Sequence, residues 1–167
     1  MSGFFFSEKF MKYSRLTKEQ FESLEKEFIN FLATQSITAE EWKTIKETKP
    51  EVAEEELDIF SDLVWEGVLT QAKFLENVSK NQLFLFKLGL VEMHLIAVKV
   101  LNTSKDITTT EGYKWLQENF VSDEVEFYTA NKKYSEDQNN DIFSLIQQGA
   151  VITKGELYVF FEEILKK

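Results

Sequence analysis

Carboxylates at Glu51, Glu55, Asp58, Asp62 and Glu66 recur every three or four residues. On a helix turning about 100° per residue they share roughly a third of the circumference. Oxygen donors stacked in this way suit a hard cation such as Mg²⁺, which proteins hold through one or two carboxylates and the phosphates of a substrate. The reaction class would be hydrolysis of a phosphorylated small molecule, with Glu55, Asp58 and Asp62 as the metal ligands. The second candidate for chemistry is His94, the only histidine, with Glu92 two residues away on the same side of a strand to orient it as a general base.

Both candidates have plainer readings. Charge runs on amphipathic helices usually form the solvated face, and a lone histidine is more often a structural residue, paired or half-buried at a sheet edge. Helical nucleotide pyrophosphatases use paired acidic motifs. Glu54-Glu55-x-x-Asp58 has the form of one half, and Glu136-Asp137 with Asp141 is only a loose second half. There is no second histidine for a zinc set, no glycine-rich phosphate loop and no Gly-x-Ser-x-Gly elbow. The sequence assigns no catalytic residue and implies no cofactor.

An interaction role asks less. Trp65 lies beside the acidic stripe, and Glu55, Asp58, Asp62, Trp65 and Glu66 together form a candidate contact for a partner protein of basic character, with an aromatic anchor and carboxylates around it. The balance of 19 basic against 29 acidic residues, a net charge of -10, repels phosphate backbones and anionic leaflets and so disfavours nucleic acid and membranes. Mimicry of nucleic acid would rest on that charge alone. The absence of cysteine fits a reducing cytoplasm. The N-terminus has no secretory pattern, so the reading is of an unprocessed cytoplasmic protein.

At 167 residues the chain is long enough for a sizeable core. Its 16 Phe, 5 Tyr and 3 Trp are the bulk that must fill that core. The central element is a β-hairpin over Leu83–Val100. Gly89-Leu90 as a two-residue turn would put Leu88 opposite Val91 and Leu85 opposite His94. Phe84, Phe86, Leu88, Val91, Met93, Leu95 and Ala97 then form the core face, and the face of Lys87 and His94 is expected to be half covered.

Capping boxes at Thr17-x-x-Gln20, Thr38-x-x-Glu41 and Thr153-x-x-Glu156 predict three helix starts. The first helix carries Phe21, Leu24, Phe28, Phe31 and Leu32 on one face. Pro50 opens another helix with an inner stripe of Ala53, Leu57, Phe60, Val64 and Val68, widened by Val52 and Leu63. Residues 72–79 suit either a strand beside the hairpin or a short helix, and lean towards the strand. Thr108-x-x-Glu111 and Ser135-x-x-Gln138 start later helices on either side of a strand over 125–130, and Gly149 ends the second of them. The sum is an α+β fold: N-terminal helices, a central antiparallel hairpin or small sheet, and C-terminal helices. It forms a single domain over 11–167, preceded by a Phe-rich arm over 1–10.

Three stretches, Met11-Lys12-Tyr13-Ser-Arg-Leu16-Thr17-Lys-Glu, Phe60-Ser-Asp-Leu-Val-Trp65-Glu-Gly-Val-Leu69 and Gly149-Ala-Val-Ile-Thr153-Lys-Gly-Glu-Leu-Tyr158, resemble a family of small uncharacterised Bacteroidota proteins, a domain of unknown function. The likeness runs from Met11 to the C-terminus and leaves residues 1–10 outside, as an early start codon would. It implies one cytoplasmic domain and brings no activity, ligand or site residue. The sequence therefore predicts a non-enzymatic, cytoplasmic protein-interaction domain, with the carboxylate and Mg²⁺-dependent hydrolase as the alternative.

Overall fold

The computed structural model describes residues 11–166; the Phe-rich arm over 1–10 lies outside the described residues. Two compact units divide the chain, with the boundary between Val68 and Leu69.

The first unit is helical: α1 (Lys18–Ser23), α2 (Glu25–Thr34), α3 (Ala39–Thr48) and most of α4 (Pro50–Gln71). Both predicted capping boxes are formed. Thr17 Oγ1 accepts from Gln20 N and Gln20 Oε1 accepts from Thr17 N, and Thr38 and Glu41 do the same. The first helix is not continuous, however. Ser23 donates its hydroxyl to the Gln20 carbonyl, Leu24 N is shared between the Gln20 and Phe21 carbonyls, and Leu24 leaves the helical region at φ -109°, ψ 22°. A serine that competes for a helix carbonyl is a known cause of such a bend.

Pro50 does open α4, but the buried sector of the helix is rotated from the expected stripe. Ala53, Glu56, Phe60 and Ser61 are buried, whereas Leu63 and Val68 are 56% and 42% exposed. Two polar contacts turn the helix. Ser61 Oγ accepts from Leu16 N at 3.1 Å while donating to the Leu57 carbonyl, and Glu56 accepts from Gln35 Nε2 at 2.7 Å. Apolar periodicity gives no weight to these groups. Gly67, in the interior of α4, is exposed, and a Cβ there would meet nothing within 4 Å. Gly67→Ala is therefore expected to raise stability by about 0.5–1 kcal/mol, read from the urea midpoint.

The second unit contains β1 (Phe74–Val78), β2 (Gln82–Leu88), β3 (Glu92–Val100), α5 (Thr110–Asn119), β4 (Val125–Lys133), α6 (Gln138–Gln147), β5 (Val151–Thr153) and α7 (Glu156–Leu165). Its sheet runs β4-β3-β2-β1-β5, antiparallel throughout. With the helices at both ends of the chain, this is the expected α+β fold. The lean of residues 72–79 towards a strand holds as β1, and the strand predicted to end at Ala130 continues to Lys133.

Within the hairpin the register is displaced by two residues. Leu88 faces Met93, Leu85 faces Ile96, and Gly89 N donates to the Glu92 carbonyl across a wider turn. The main core also lies on the opposite face from the one predicted. Leu83, Leu85, Ile96, Val98 and Val100 are each at most 3% exposed and join Leu116 of α5 with Tyr158 and Phe161 of α7. Lys87 and His94 share this face only at its turn end, where Lys87 Nζ reaches Glu162 at 4.0 Å. Two polar residues beside the turn hid a face that is apolar along the rest of its length.

Three predicted caps shift. α5 is capped by Thr109, whose hydroxyl accepts from Gly112 N, and α6 by Asp137, which accepts from Asn140 N. Thr153-x-x-Glu156 is no capping box, because Thr153 ends β5 and Gly155, at φ 83°, caps α7. Gly112 allows the closest approach in the unit: a Cβ there would lie 1.7 Å from the Asp106 carbonyl oxygen. Gly149 does end α6, at φ 113°.

Glu76 is the carboxylate on the core face of β1, in the row of Phe74 and Leu85. Burial raises its pKa above the ordinary 4.5; a hydrogen bond with Thr153 opposes this and the nearby Glu156 adds to it. A raised folded-state pKa means that the native chain binds its proton more tightly than the unfolded one. The stabilisation is complete below the unfolded value and is lost as pH rises through the folded value. Glu76→Gln should therefore raise the melting temperature relative to the parent at neutral pH, and the advantage should shrink on acidification towards 4.5. Parallel melting curves across that range check it.

Candidate functional site

The acidic side of α4 is occupied by the chain itself. Residues 12–16 run beside it, along the stretch from Glu54 to Glu66. Arg15 Nε donates to Asp58 Oδ1 at 2.8 Å and Arg15 Nη2 lies 2.7 Å from the same oxygen, with Glu54 Oε1 at 3.5 Å. Asp62 accepts two backbone N–H groups, from Lys12 at 2.7 Å and Tyr13 at 2.9 Å. Glu66 accepts the Tyr13 hydroxyl at 2.6 Å and lies 3.9 Å from Lys12 Nζ. Burial, followed by the hydrogen bond to Glu66, pushes the Tyr13 phenol up to about 12.

Of the five predicted contact residues, Asp58, Asp62 and Glu66 thus act together as a clasp on the N-terminal segment. Glu55 remains exposed on the surface and Trp65 is half-buried. Among the described residues no three His, Asp or Glu side chains are arranged to hold a metal ion. The looser acidic group in the second unit has local duties: Asp141 accepts from Ser135 N and Oγ, and Asp137 caps α6.

Beside the clasp the first unit has an open groove of about 730 Å³. Phe21, Phe28 and Trp42 line it with Leu16 and Leu57. The rings brace one another: Trp42 meets Phe28 edge-on at 5.2 Å, and Phe28 meets Phe60 beneath at 5.0 Å. Phe60 is buried, while Phe21, Phe28 and Trp42 are only half-buried. Charges of both signs border the groove, with Arg15, Lys18 and Lys46 on one hand and Glu22 and Glu25 on the other. Asp58 therefore has an indirect part, since it holds the Arg15 guanidinium at the groove's edge.

In the second unit a small cleft of about 190 Å³ is lined by His94, Thr129, Asn131, Tyr158 and Glu162. His94 Nδ1 is 2.6 Å from Asn131 Oδ1, so the orienting partner is an amide from the neighbouring strand rather than Glu92, which faces Lys133. A neutral amide can fix the orientation of the ring.

The family of unknown function DUF6495 matches residues 11–166, which covers both units and the clasp. The chain belongs to that family. No curated protein and no solved structure matches it. The resemblance carried by the stretches at Met11, Phe60 and Gly149 holds at this level, and the first two contain Lys12, Tyr13, Arg15, Asp62 and Glu66 of the clasp but not Asp58. In this DUF6495 chain no helix among the described residues is long and apolar enough to cross a membrane.

The groove escaped the sequence reading although Phe21 and Phe28 did not. Phe21 and Phe28 fall on the inner face of a helix, and Trp42 on the fourth position of the next, where a staple is expected. Periodicity names an inner face without saying whether it is covered.

Proposed function

We propose that this chain is a cytoplasmic, non-enzymatic interaction module of a Bacteroidota family, and that the groove over Phe21, Phe28 and Trp42 takes an apolar anchor from another protein. The observation that carries this reading is the trio of half-buried rings in an open groove of about 730 Å³. Aromatic side chains in a preformed concavity are the usual seat of binding energy in protein recognition, because they offer large area at small entropic cost. Glu22 and Glu25 at the border and the net charge of -10 favour a basic residue beside the anchor, while Arg15, Lys18 and Lys46 on the same border leave a place for an acidic one. In this arrangement Asp58 supports the groove wall through Arg15, and Asp62 and Glu66 hold the segment that carries Arg15. The absence of cysteine supports the cytoplasmic assignment.

The full-length chain should enrich, from a displayed library of short peptides, sequences with an aromatic or leucine anchor beside Lys or Arg. Trp42→Ala should weaken the best of them at least about tenfold, and Glu22→Lys with Glu25→Lys should do so at low salt. Absence of enrichment, or equal affinity for the parent and both variants, would refute the groove.

A further inference from the structure

β4 is an edge strand of nine residues, and among the described residues only β3 pairs with it. Its outward-facing backbone groups can be identified. Tyr134 N donates to the Val91 carbonyl, and the Glu124 carbonyl accepts from Leu101 N, so the even-numbered residues at both ends direct their backbone groups towards β3. By strand alternation Val125, Phe127, Thr129, Asn131 and Lys133 direct theirs away from the sheet. From Glu126 to Lys133 every residue except Phe127 is exposed.

We propose that a second copy of this chain pairs with β4, antiparallel and centred on Thr129, to join two five-stranded sheets into one. The two-fold axis makes the contact self-complementary. Thr129 would face its own copy and Phe127 would face Asn131. Both pairings bring together outward-facing residues, so each can exchange two backbone hydrogen bonds. The same register sets Glu126 opposite Lys132 twice, once on each side of the axis, and lays Tyr128 over Ala130. These fall at the non-hydrogen-bonded positions, where facing side chains approach most closely. Sliding the copy by two residues in either direction keeps the backbone bonds possible but parts Glu126 from Lys132; one of these slides sets Lys132 against Glu124, which lies outside the strand and already accepts from Asn102 Nδ2 at 2.9 Å. The charge order Glu126, Tyr128, Ala130, Lys132 therefore selects one register.

A long exposed edge strand is open to indiscriminate pairing unless charges restrict it, and here the charges restrict it to one partner. Apolar surface flanks the same edge. Phe161 contacts Phe127 at 5.8 Å, and next to it Phe160 is 42% exposed.

Light scattering on the full chain separates the outcomes. The parent should have twice the 19.6 kDa of one chain at concentrations on the order of 100 μM, where an interface of this kind is populated. Thr129→Pro removes an outward N–H that the sheet does not use, so the fold tolerates it and the dimer is lost. Lys132→Glu sets like charges against each other twice and should weaken association about tenfold. Combining it with Glu126→Lys should bring the dissociation constant back to within about threefold of the parent, since the pairs re-form with exchanged signs. A parent of 19.6 kDa overturns the proposal, as does a dimer indifferent to both Thr129→Pro and Lys132→Glu.

Discussion

Asp62→Lys is expected to destabilise the full chain by about 3 kcal/mol, because it removes a charged acceptor from two backbone donors and sets a cation among Lys12 and Arg15. The Asp62 carboxylate accepts from the Lys12 N–H and from the part-buried Tyr13 N–H as well. Hydrogen bonds to an ionised acceptor contribute about 1.5–3 kcal/mol each when part-buried, less when exposed. Asp62→Asn keeps an acceptor oxygen without the charge and should cost about 1 kcal/mol, so the pair separates charge from geometry. Urea denaturation followed by tryptophan fluorescence reads both. A loss below about 1 kcal/mol for Asp62→Lys would mean that the segment at 12–16 is not held by this carboxylate. A binding test that reverses these charges also disturbs the fold, which is why Glu22 and Glu25 are the better probes.

Phe161→Ala should cost more, about 3–5 kcal/mol, through the buried area lost and the cavity left behind. Phe161 is 1% exposed and lies in the cluster with Leu85, Val98 and Leu116, its ring 5.8 Å from that of Phe127. Its neighbour provides the control. Phe160 is 42% exposed, and Phe160→Ala should cost about 1 kcal/mol or less. If the two alanine variants melted together, α7 would not present Phe161 to the sheet as described.

Features that depend on neighbours in sequence were legible. Thr17 and Thr38 announce their helices because a capping box closes within four residues. Gly149 marks the end of α6 because its left-handed backbone is a local demand. The hairpin's existence was legible and its register was not, for a definite reason: a displacement of two residues leaves every side chain on its own face, so alternation cannot detect it. The choice of core face depended on what α5 and α7 cover, and Lys87 and His94 at the turn pointed away from the right answer. The candidate site shows the same division. Glu55, Asp58, Asp62 and Glu66 were correctly placed on one side of one helix. That Lys12, Tyr13 and Arg15 meet three of them from more than 40 residues away is not written in any local pattern. The groove required knowing that α1, α2 and α3 leave Phe21, Phe28 and Trp42 partly open.

The three tryptophans allow the central claim to be tested in one spectrum. Trp42 borders the groove, Trp65 lies on α4 near the clasp, and Trp115 packs against the sheet core of the second unit. In a nitrogen-15 correlation spectrum of the full chain, each contributes one indole N–H signal. Titration with a peptide carrying an aromatic anchor between lysines should move the Trp42 signal and leave those of Trp65 and Trp115 in place. Movement of the Trp65 signal with Trp42 unmoved would contradict the groove and return the contact to the acidic side of α4.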